Sequence, residues 1–216
     1  MTQIRRRLCG IALAVTMIVT MIPTTAMAAG SGPFTDVKAG DWCFDAVQYV
    51  YENGLMNGTS STQFSPNRVT SRGMIVTILH RLDGTPAAGG LYRFEDVAAG
   101  SYCEDAVAWG AENGIVGGYG NGKFGPGSPI TREQLAAILY RYVGYKGLSA
   151  EAAEDNLAGF PDVARVSGYA VSALNWAVGA GLINGTADGT LNPQGSATRA
   201  QVAVILYRFC VNIYGI

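Results

Sequence analysis

Histidine is almost missing from this sequence of 216 residues, which contains only His80. Nucleophilic systems of the Ser/His/Asp or Cys/His kind need a histidine as the general base. His80 occupies a position that Tyr140 and Tyr207 hold in two similar stretches of the chain, so it is a variant of a repeated residue. Catalysis by such a system is therefore not expected, and the chain is not predicted to be an enzyme.

Cysteine is also scarce, and its spacing argues against metal sites and a disulfide framework. The four cysteines form no Cys-x-x-Cys pair, and Cys43, Cys103 and Cys210 lie far apart in sequence. Buried free thiols are favoured for these three, with a disulfide as the alternative. The segment 184–195 begins like a calcium-binding loop, but Gly195 stands where a bidentate glutamate is needed. No metal and no cofactor are expected.

Long apolar runs and basic clusters are missing from all but the first residues. The segment 1–28 has three arginines, an apolar run and Ala26-Met27-Ala28, in the order of a secretory signal peptide. Its apolar run, about 15 residues, is shorter than a membrane span of ~20 residues, which is the alternative interpretation. Without this segment, 12 of the 15 basic residues remain against 16 acidic ones. Neither nucleic acid nor a membrane is therefore expected as a partner.

Three similar segments fill most of the remaining chain, which indicates an internal repeat. Each copy opens with Phe-x-Asp-Val and continues through an aromatic residue and a helical stretch to Gly-Leu or Gly-Ile. Each second half runs from a Phe-x-Pro or Asn-Pro turn to a Ser-Arg or Thr-Arg pair, and then through a helical stretch that ends in arginine. The repeats are predicted at 34–84, 94–144 and 160–210.

Local signals predict where the helices of each repeat begin and end. The first helix should end at a left-handed glycine, which is Gly54, Gly114 or Gly181. The second should begin after a hydroxyl cap, which is Ser71, Thr131 or Thr198. Gln134 and Gln201 lie three residues after their caps and could close a capping box.

Each second helix has an apolar stripe with the i, i+3, i+4, i+7 spacing of one buried face. In repeat 2 this stripe is Leu135, Ile138, Leu139 and Tyr142. One helix pair cannot bury such a stripe alone, so the repeats must pack on one another. The predicted fold is all-α, with three helix–loop–helix repeats that share one core.

The chain resembles the S-layer homology domain in its three ordered copies of Phe-x-Asp-Val, Gly-Leu or Gly-Ile, Phe-x-Pro and Thr-Arg. The resemblance implies a pseudo-threefold bundle with one helix per repeat at its centre. It also implies non-covalent attachment at the cell surface to an anionic cell wall polysaccharide, often pyruvylated, in grooves between repeats. The family's glutamate after the arginine is Met74, Gln134 or Gln201 here, and Leu191 replaces a phenylalanine. These departures leave the number of binding grooves open.

An arginine directly follows each hydroxyl cap, at Arg72, Arg132 and Arg199. A cation there opposes the helix dipole at a cost of about 0.3–1 kcal/mol, so its repetition needs a compensation. Helix N–H groups bind anions, and a guanidinium grips a carboxylate with two donors. With the resemblance, this predicts an anion site whose arginines can be removed with little effect on stability. The alternative is a salt bridge to an aspartate of a neighbouring repeat.

Three further sets of equivalent residues are candidates for contact with the glycan. The aromatic set, expected to stack on a sugar ring or else to pack in the core, is Trp42, Tyr102 and Tyr169. The acidic set, expected as caps or turn formers with ligand contact as the alternative, is Asp36, Asp96 and Asp162. The set that permits tight turns and close approach of a sugar to the main chain is Gly58, Gly118 and Gly185.

A structural role is the alternative function. A surface-layer or scaffold subunit would use the same repeats to assemble with other surface proteins, and no cargo domain accompanies the repeats in this sequence. Binding to purified wall polysaccharide would distinguish an anchor from such an assembly subunit.

Cleavage of the signal peptide after Ala28 gives a direct test of export. N-terminal sequencing of protein extracted from the cell surface should begin at Ala29. Surface protein that still carries Met1 would contradict the assignment.

Overall fold

Six α-helices, two per repeat, make up the computed structural model, which describes residues 32–90, 93–152 and 155–215. Repeat 1 contains α1 (Phe44–Glu52) and α2 (Arg72–Leu82), and repeat 2 contains α3 (Glu104–Glu112) and α4 (Arg132–Tyr145). Repeat 3 contains α5 (Val171–Gly179) and α6 (Arg199–Phe209). Two 3₁₀ turns, Val163–Arg165 and Gly168–Ala170, precede α5, and a π-helical segment, Cys210–Tyr214, follows α6.

The all-α class is confirmed, since no strand forms within the described ranges. In the same ranges, none of the helices has both the length and the apolar character needed to cross a membrane. The signal peptide predicted at 1–28 lies outside the described residues.

Helix starts follow the predicted caps. The side chains of Ser71, Thr131 and Thr198 each accept a hydrogen bond from the backbone N–H three residues later. Gln134 and Gln201 complete two capping boxes by accepting the backbone N–H of their cap residues. The cap hydroxyl and the glutamine therefore satisfy donors that the first turn leaves open.

Helix ends follow the predicted glycines. Gly54, Gly114 and Gly181 lie one residue after the C-cap of α1, α3 and α5, with φ between 67° and 69°. This left-handed conformation costs glycine little and other residues more. It reverses the chain and directs the following Leu or Ile into the core.

Packing between repeats runs in one direction around the molecule. Helix α2 packs against α3, α4 packs against α5, and α6 returns to pack against α1. An aromatic pair lies in each contact, with ring centroids 5.1–5.8 Å apart. The pairs are His80–Trp109, Tyr140–Trp176 and Tyr207–Tyr49. The three repeats therefore close into a pseudo-threefold ring. His80 packs in it as the equivalent of Tyr140 and Tyr207.

A second closed cycle joins the repeats just before the hydroxyl caps. The backbone N–H of Thr70 donates to the carbonyl of Ala197 at 3.0 Å. The N–H of Ala197 donates to Ile130, and that of Ile130 donates back to Thr70, both at 2.9 Å. Each repeat thus donates one hydrogen bond and accepts one. This cycle places the starts of α2, α4 and α6 around a common axis.

One hydrophobic core runs through all three repeats. It contains the predicted stripes of the second helices, of which Leu79, Leu139 and Leu206 are fully buried, while Leu82 is only partly buried. Cys43, Cys103 and Cys210 are buried free thiols. A shared core of this kind couples the unfolding of the repeats.

The aspartates of Phe-x-Asp-Val hold each repeat's own loop in place. Both carboxylate oxygens accept backbone N–H groups, at 2.8 Å in all six cases. The second donor of each pair lies in a left-handed turn, at Ser65, Gly125 or Asn192. The carboxylates of Asp36, Asp96 and Asp162 are therefore engaged within the fold.

The shared core predicts the effect of a cavity in one repeat. Leu139→Ala should lower the free energy of unfolding by about 2–5 kcal/mol, because it removes fully buried methyl groups. Denaturant unfolding should still show one transition, at a lower midpoint. The exposed Leu148→Ala is the control and should change stability by less than about 0.5 kcal/mol. Two separate transitions would show that the repeats unfold independently.

Because Asp96 and Asp162 accept backbone hydrogen bonds as carboxylates, we expect the protein to lose stability in acid. Burial alone would raise the pKa of Asp96, but hydrogen bonds from the N–H groups of Phe124 and Gly125 outweigh it and lower that pKa. The same holds for Asp162 with Leu191 and Asn192. The stabilisation is present above the unfolded pKa of about 3.9 and is lost as the pH falls through the lower folded pKa.

Denaturant midpoints measured between pH 5 and pH 2 test this dependence. Asp96→Asn should lower stability at pH 5 and flatten the fall towards pH 2, whereas Asp105→Asn on the exposed face of α3 should leave the fall unchanged. An unaltered pH dependence in Asp96→Asn would contradict the assignment.

Candidate binding grooves

Three grooves of the same construction surround the pseudo-threefold ring. In each, one repeat provides the glycine loop and the second helix, the next repeat provides an exposed aromatic residue, and the third provides a helix-start arginine. We number a groove by the repeat that provides its loop and helix. Each groove needs all three repeats, so none exists in a single copy.

The three grooves have equivalent lining residues and different sizes. Groove 1, of about 170 Å³, is lined in part by Gly58, Met74, Arg81, Tyr102 and Arg199. Groove 2, of about 250 Å³, is lined in part by Gly118, Gln134, Arg141, Tyr169 and Arg72. Groove 3, of about 390 Å³, is lined in part by Gly185, Gln201, Arg208, Trp42 and Arg132.

The predicted aromatic and glycine residues therefore come together in the grooves. Trp42, Tyr102 and Tyr169 are 68%, 63% and 55% exposed, so they form groove walls and are not part of the core. A Cβ atom on Gly118 would lie 2.7 Å from the ring of Phe94, and the other two loops have the same contact. Glycine is needed there because the phenylalanine of Phe-x-Asp-Val packs under the loop. The three aspartates do not line the grooves.

The helix-start arginines are buried between repeats. Arg72, Arg132 and Arg199 are only 5–6% exposed. Their Nε atoms donate to carbonyls of another repeat, namely Phe124 (3.1 Å), Leu191 (2.8 Å) and Phe64 (2.7 Å). Burial lowers the pKa of all three guanidinium groups, but arginine remains charged at neutral pH. The partners are main-chain carbonyls, so the salt bridge to an aspartate is not formed.

The N–H groups beside these arginines are also used. In α2, the N–H of Arg72 donates to the carbonyl of Ser128 at 2.9 Å, and that of Gly73 donates to Pro126 at 3.0 Å. The first two N–H groups of α4 and α6 make the equivalent bonds to the next repeat in the ring. The prediction that these helix N–H groups bind an anion is therefore wrong, because they already donate to carbonyls of the neighbouring repeat.

Arg132 differs from its two equivalents. The Nη2 atoms of Arg72 and Arg199 donate to the carbonyls of Gly117 (3.0 Å) and Asn57 (2.5 Å). Nη2 of Arg132 is buried and has no hydrogen-bond partner within the described ranges. The loop opposite it follows a different path, since Gly185 has a φ of 65° and its equivalents Gly58 and Gly118 have no positive φ. Groove 3 therefore differs from the other two in a buried guanidinium nitrogen that no described residue accepts from.

A second arginine lines each groove and was not among the residues proposed from sequence. Arg81 and Arg208 each donate to a carbonyl of the same groove, at Leu55 (3.4 Å) and Leu182 (3.3 Å). Arg141 is the third. The sequence did contain a signal for these three arginines, because an arginine ends the second helical stretch of every copy.

Charge in the grooves is of one sign. Each groove has two arginines, and none of the described residues that line the three grooves is an aspartate or a glutamate. Yet acidic residues outnumber basic ones in the chain as a whole. Concave sites with uncompensated positive charge concentrate anionic ligands.

Comparison with known proteins places these features in a family. The S-layer homology domain matches at residues 33–73, 93–136 and 159–203, which together make up more than half of the chain. Each match covers the first helix, the loop and the start of the second helix of one repeat.

Relatives share this region within much longer proteins. An endoglucanase of Bacillus sp. (strain KSM-635) is 32% identical over 210 residues, which cover 94% of this chain and 22% of the relative. The surface-layer 125 kDa protein of Lysinibacillus sphaericus is 32% identical over 200 residues, covering 91% of this chain and 16% of the relative. An amylopullulanase of Thermoanaerobacterium thermosulfurigenes is 30% identical over 81% of this chain and 9% of the relative. The chain spans less than a quarter of each. It belongs to the S-layer homology domain family and is a secreted protein of the cell wall or surface.

Proposed function

We propose that the three repeats anchor the chain non-covalently to the cell wall by binding an anionic wall polysaccharide. The observation that carries the proposal is the composition of the grooves, each of which combines two arginines and at least one exposed aromatic ring with no carboxylate among its lining residues. Such a lining suits a ligand that has both an anionic group and an apolar face.

A sugar that bears a carboxylate has both features. The aromatic ring offers a flat apolar surface to the C–H face of a pyranose. A guanidinium presents two N–H donors in the geometry of a carboxylate. The pyruvyl ketal that the family resemblance implies would supply such a carboxylate on the sugar.

Groove 3 is the strongest candidate for binding of this kind. Nη2 of Arg132 is buried there without a described hydrogen-bond partner, and Trp42 is the most exposed of the three aromatic walls. Its volume of about 390 Å³ lies within the roughly 300–1,000 Å³ usual for small-molecule sites, whereas the other two grooves are smaller. In groove 1, Met74 also replaces the glutamine of the other two, so fewer polar groups face the ligand.

We further propose that this chain has no catalytic role. The relatives named as enzymes match it over a small part of their own length. A surface-layer protein shares the same region, so the shared part is expected to supply attachment and not catalysis.

Cosedimentation with purified wall polysaccharide tests the anchoring proposal. The chain should pellet with the polysaccharide, and the bound fraction should fall as salt is raised, because the contacts are charged. Polysaccharide stripped of its acidic substituents should bind less. A folded chain that remains in the supernatant at low salt would instead favour assembly with other surface proteins.

Arginine variants separate binding from stability. Arg199→Gln removes one buried and one partly buried hydrogen bond and should lower the free energy of unfolding by about 2 kcal/mol. Arg132→Gln removes one and should cost less stability, yet it should weaken cosedimentation more strongly. Denaturant midpoints and pellet fractions of the folded variants supply the two readouts.

The matched control for these variants is Arg68→Gln, which removes the same charge from an exposed position outside the grooves. It should alter neither readout by much. Unchanged cosedimentation of Arg132→Gln would remove groove 3 from the proposal.

A further inference from the structure

Asparagine followed by glycine occurs five times in this chain, and two of the five pairs lie in groove loops. We propose that one of them, Asn184-Gly185, is a site of spontaneous deamidation, and that the carboxylate formed there neutralises groove 3. The modification depends only on the local structure. Its effect on attachment rests on the proposed function, because it assumes that groove 3 binds an anionic glycan.

Deamidation of asparagine, a thermolabile residue, begins with attack by the backbone nitrogen of the next residue. The nitrogen of Gly185 forms a bond to Cγ of Asn184, and the side-chain nitrogen leaves as ammonia with the proton of the attacking N–H. Water then opens the resulting succinimide at either carbonyl, which gives aspartate or isoaspartate. Glycine lacks a Cβ that would hinder the approach, so Asn-Gly pairs favour this reaction. Either product has a carboxylate in place of a neutral amide.

Two of the five pairs are restrained by hydrogen bonds at helix ends. The side-chain amides of Asn53 and Asn113 each donate to the carbonyl four residues earlier, at 2.9 and 2.8 Å. The N–H of the following glycine, which would have to attack, donates to the carbonyl three residues before it, at 3.0 and 3.2 Å. Both groups must be released before a succinimide can close, so these pairs react only from locally opened states.

The pair in groove 3 lacks these restraints. Asn184 is exposed, and within the described ranges neither its side-chain amide nor the N–H of Gly185 has a hydrogen-bond partner. The main-chain carbonyl of Asn184 has no described partner either, whereas that of its equivalent Asn57 accepts Nη2 of Arg199. Both reacting groups of Asn184-Gly185 are therefore free to approach each other.

The charge of groove 3 favours both the attack and its product. Arg132 and Arg208 line the groove together with Asn184, and no carboxylate is among its lining residues. Negative charge develops on the amide oxygen during the attack, and cationic donors that are already in place stabilise such a charge. A carboxylate at residue 184 would then compete with the anionic group of the glycan for the same guanidinium groups.

Repeat 2 provides an internal comparison. Gly117-Gly118 stands there in place of the Asn-Gly pair of the other two groove loops, so groove 2 cannot acquire a carboxylate in this way. Asn121-Gly122 lies in the same loop, is exposed, and is not among the lining residues of the grooves. A carboxylate at residue 121 therefore adds the same charge outside the grooves.

Peptide mapping by mass spectrometry tests the modification. The folded chain is aged at mildly alkaline pH in water enriched in oxygen-18, which enters the new carboxylate when the succinimide opens. Asn184 should convert about tenfold or more faster than Asn53 and Asn113, because each of those must first give up two hydrogen bonds. In denaturant, where these bonds are absent, the three residues should convert at similar rates.

Cosedimentation with purified wall polysaccharide tests the consequence. The pellet fraction should fall with ageing in step with the conversion of Asn184, and Asn184→Asp should reproduce that loss without ageing. Its denaturant midpoint should match that of the unmodified chain, because the Asn184 side chain has no described hydrogen bond. The matched control Asn121→Asp should bind like the fresh chain. Asn184→Gln, whose longer side chain closes a ring far more slowly, should lose little binding with age.

The remaining outcomes are distinguishable. Conversion of Asn184 that is no faster than that of Asn53 in the folded chain would reject the modification and leave the proposed function intact. Rapid conversion with full binding, or full binding by Asn184→Asp, would retain the modification and reject its effect on groove 3. If the fresh chain does not pellet, the proposed function and the effect on attachment fail together, while the conversion rates still decide the modification.

Discussion

Hydrogen bonds between one repeat's helix start and the next repeat's loop hold this fold in its cyclic form. The backbone N–H groups of Arg72 and Gly73, and the guanidinium of Arg72, all donate to carbonyls of repeat 2. The other two junctions have the same construction. A buried charge is tolerated only when its donors are satisfied, so these arginines tie the repeats together and depend on them. The grooves exist because these junctions bring three repeats to one place.

The same contacts explain why the grooves are similar and yet unequal. Where the opposite loop offers two carbonyls, as for Arg72 and Arg199, both Nε and Nη2 of the arginine are hydrogen-bonded. Where the loop turns differently, at Gly185, Arg132 keeps an unpaired nitrogen. A change of backbone conformation at one glycine thus accompanies the loss of the Nη2 hydrogen bond that the other two arginines make.

The residues at equivalent positions of the three repeats differ more in the groove walls than in the core. The core positions of the second helices remain aliphatic or aromatic in all three copies, since a polar group that is buried there without a partner would be costly. Wall positions face solvent and vary between the copies, so that Tyr119 in groove 2 has threonine in both of its equivalents. A cyclic repeat can in this way keep one fold and develop sites with different chemistry.

The sequence by itself determined the local structure: the all-α class, the caps at Ser71, Thr131 and Thr198, and the left-handed glycines after the first helices. These depend on residues within a few positions of one another. The tertiary structure decided the exposure of Trp42, the use of the helix-start N–H groups and the missing hydrogen-bond partner of Arg132 Nη2. The carbonyl partners of the helix-start arginine side chains lie 45 to 142 residues away along the chain, and no local pattern specifies which carbonyl will face a guanidinium.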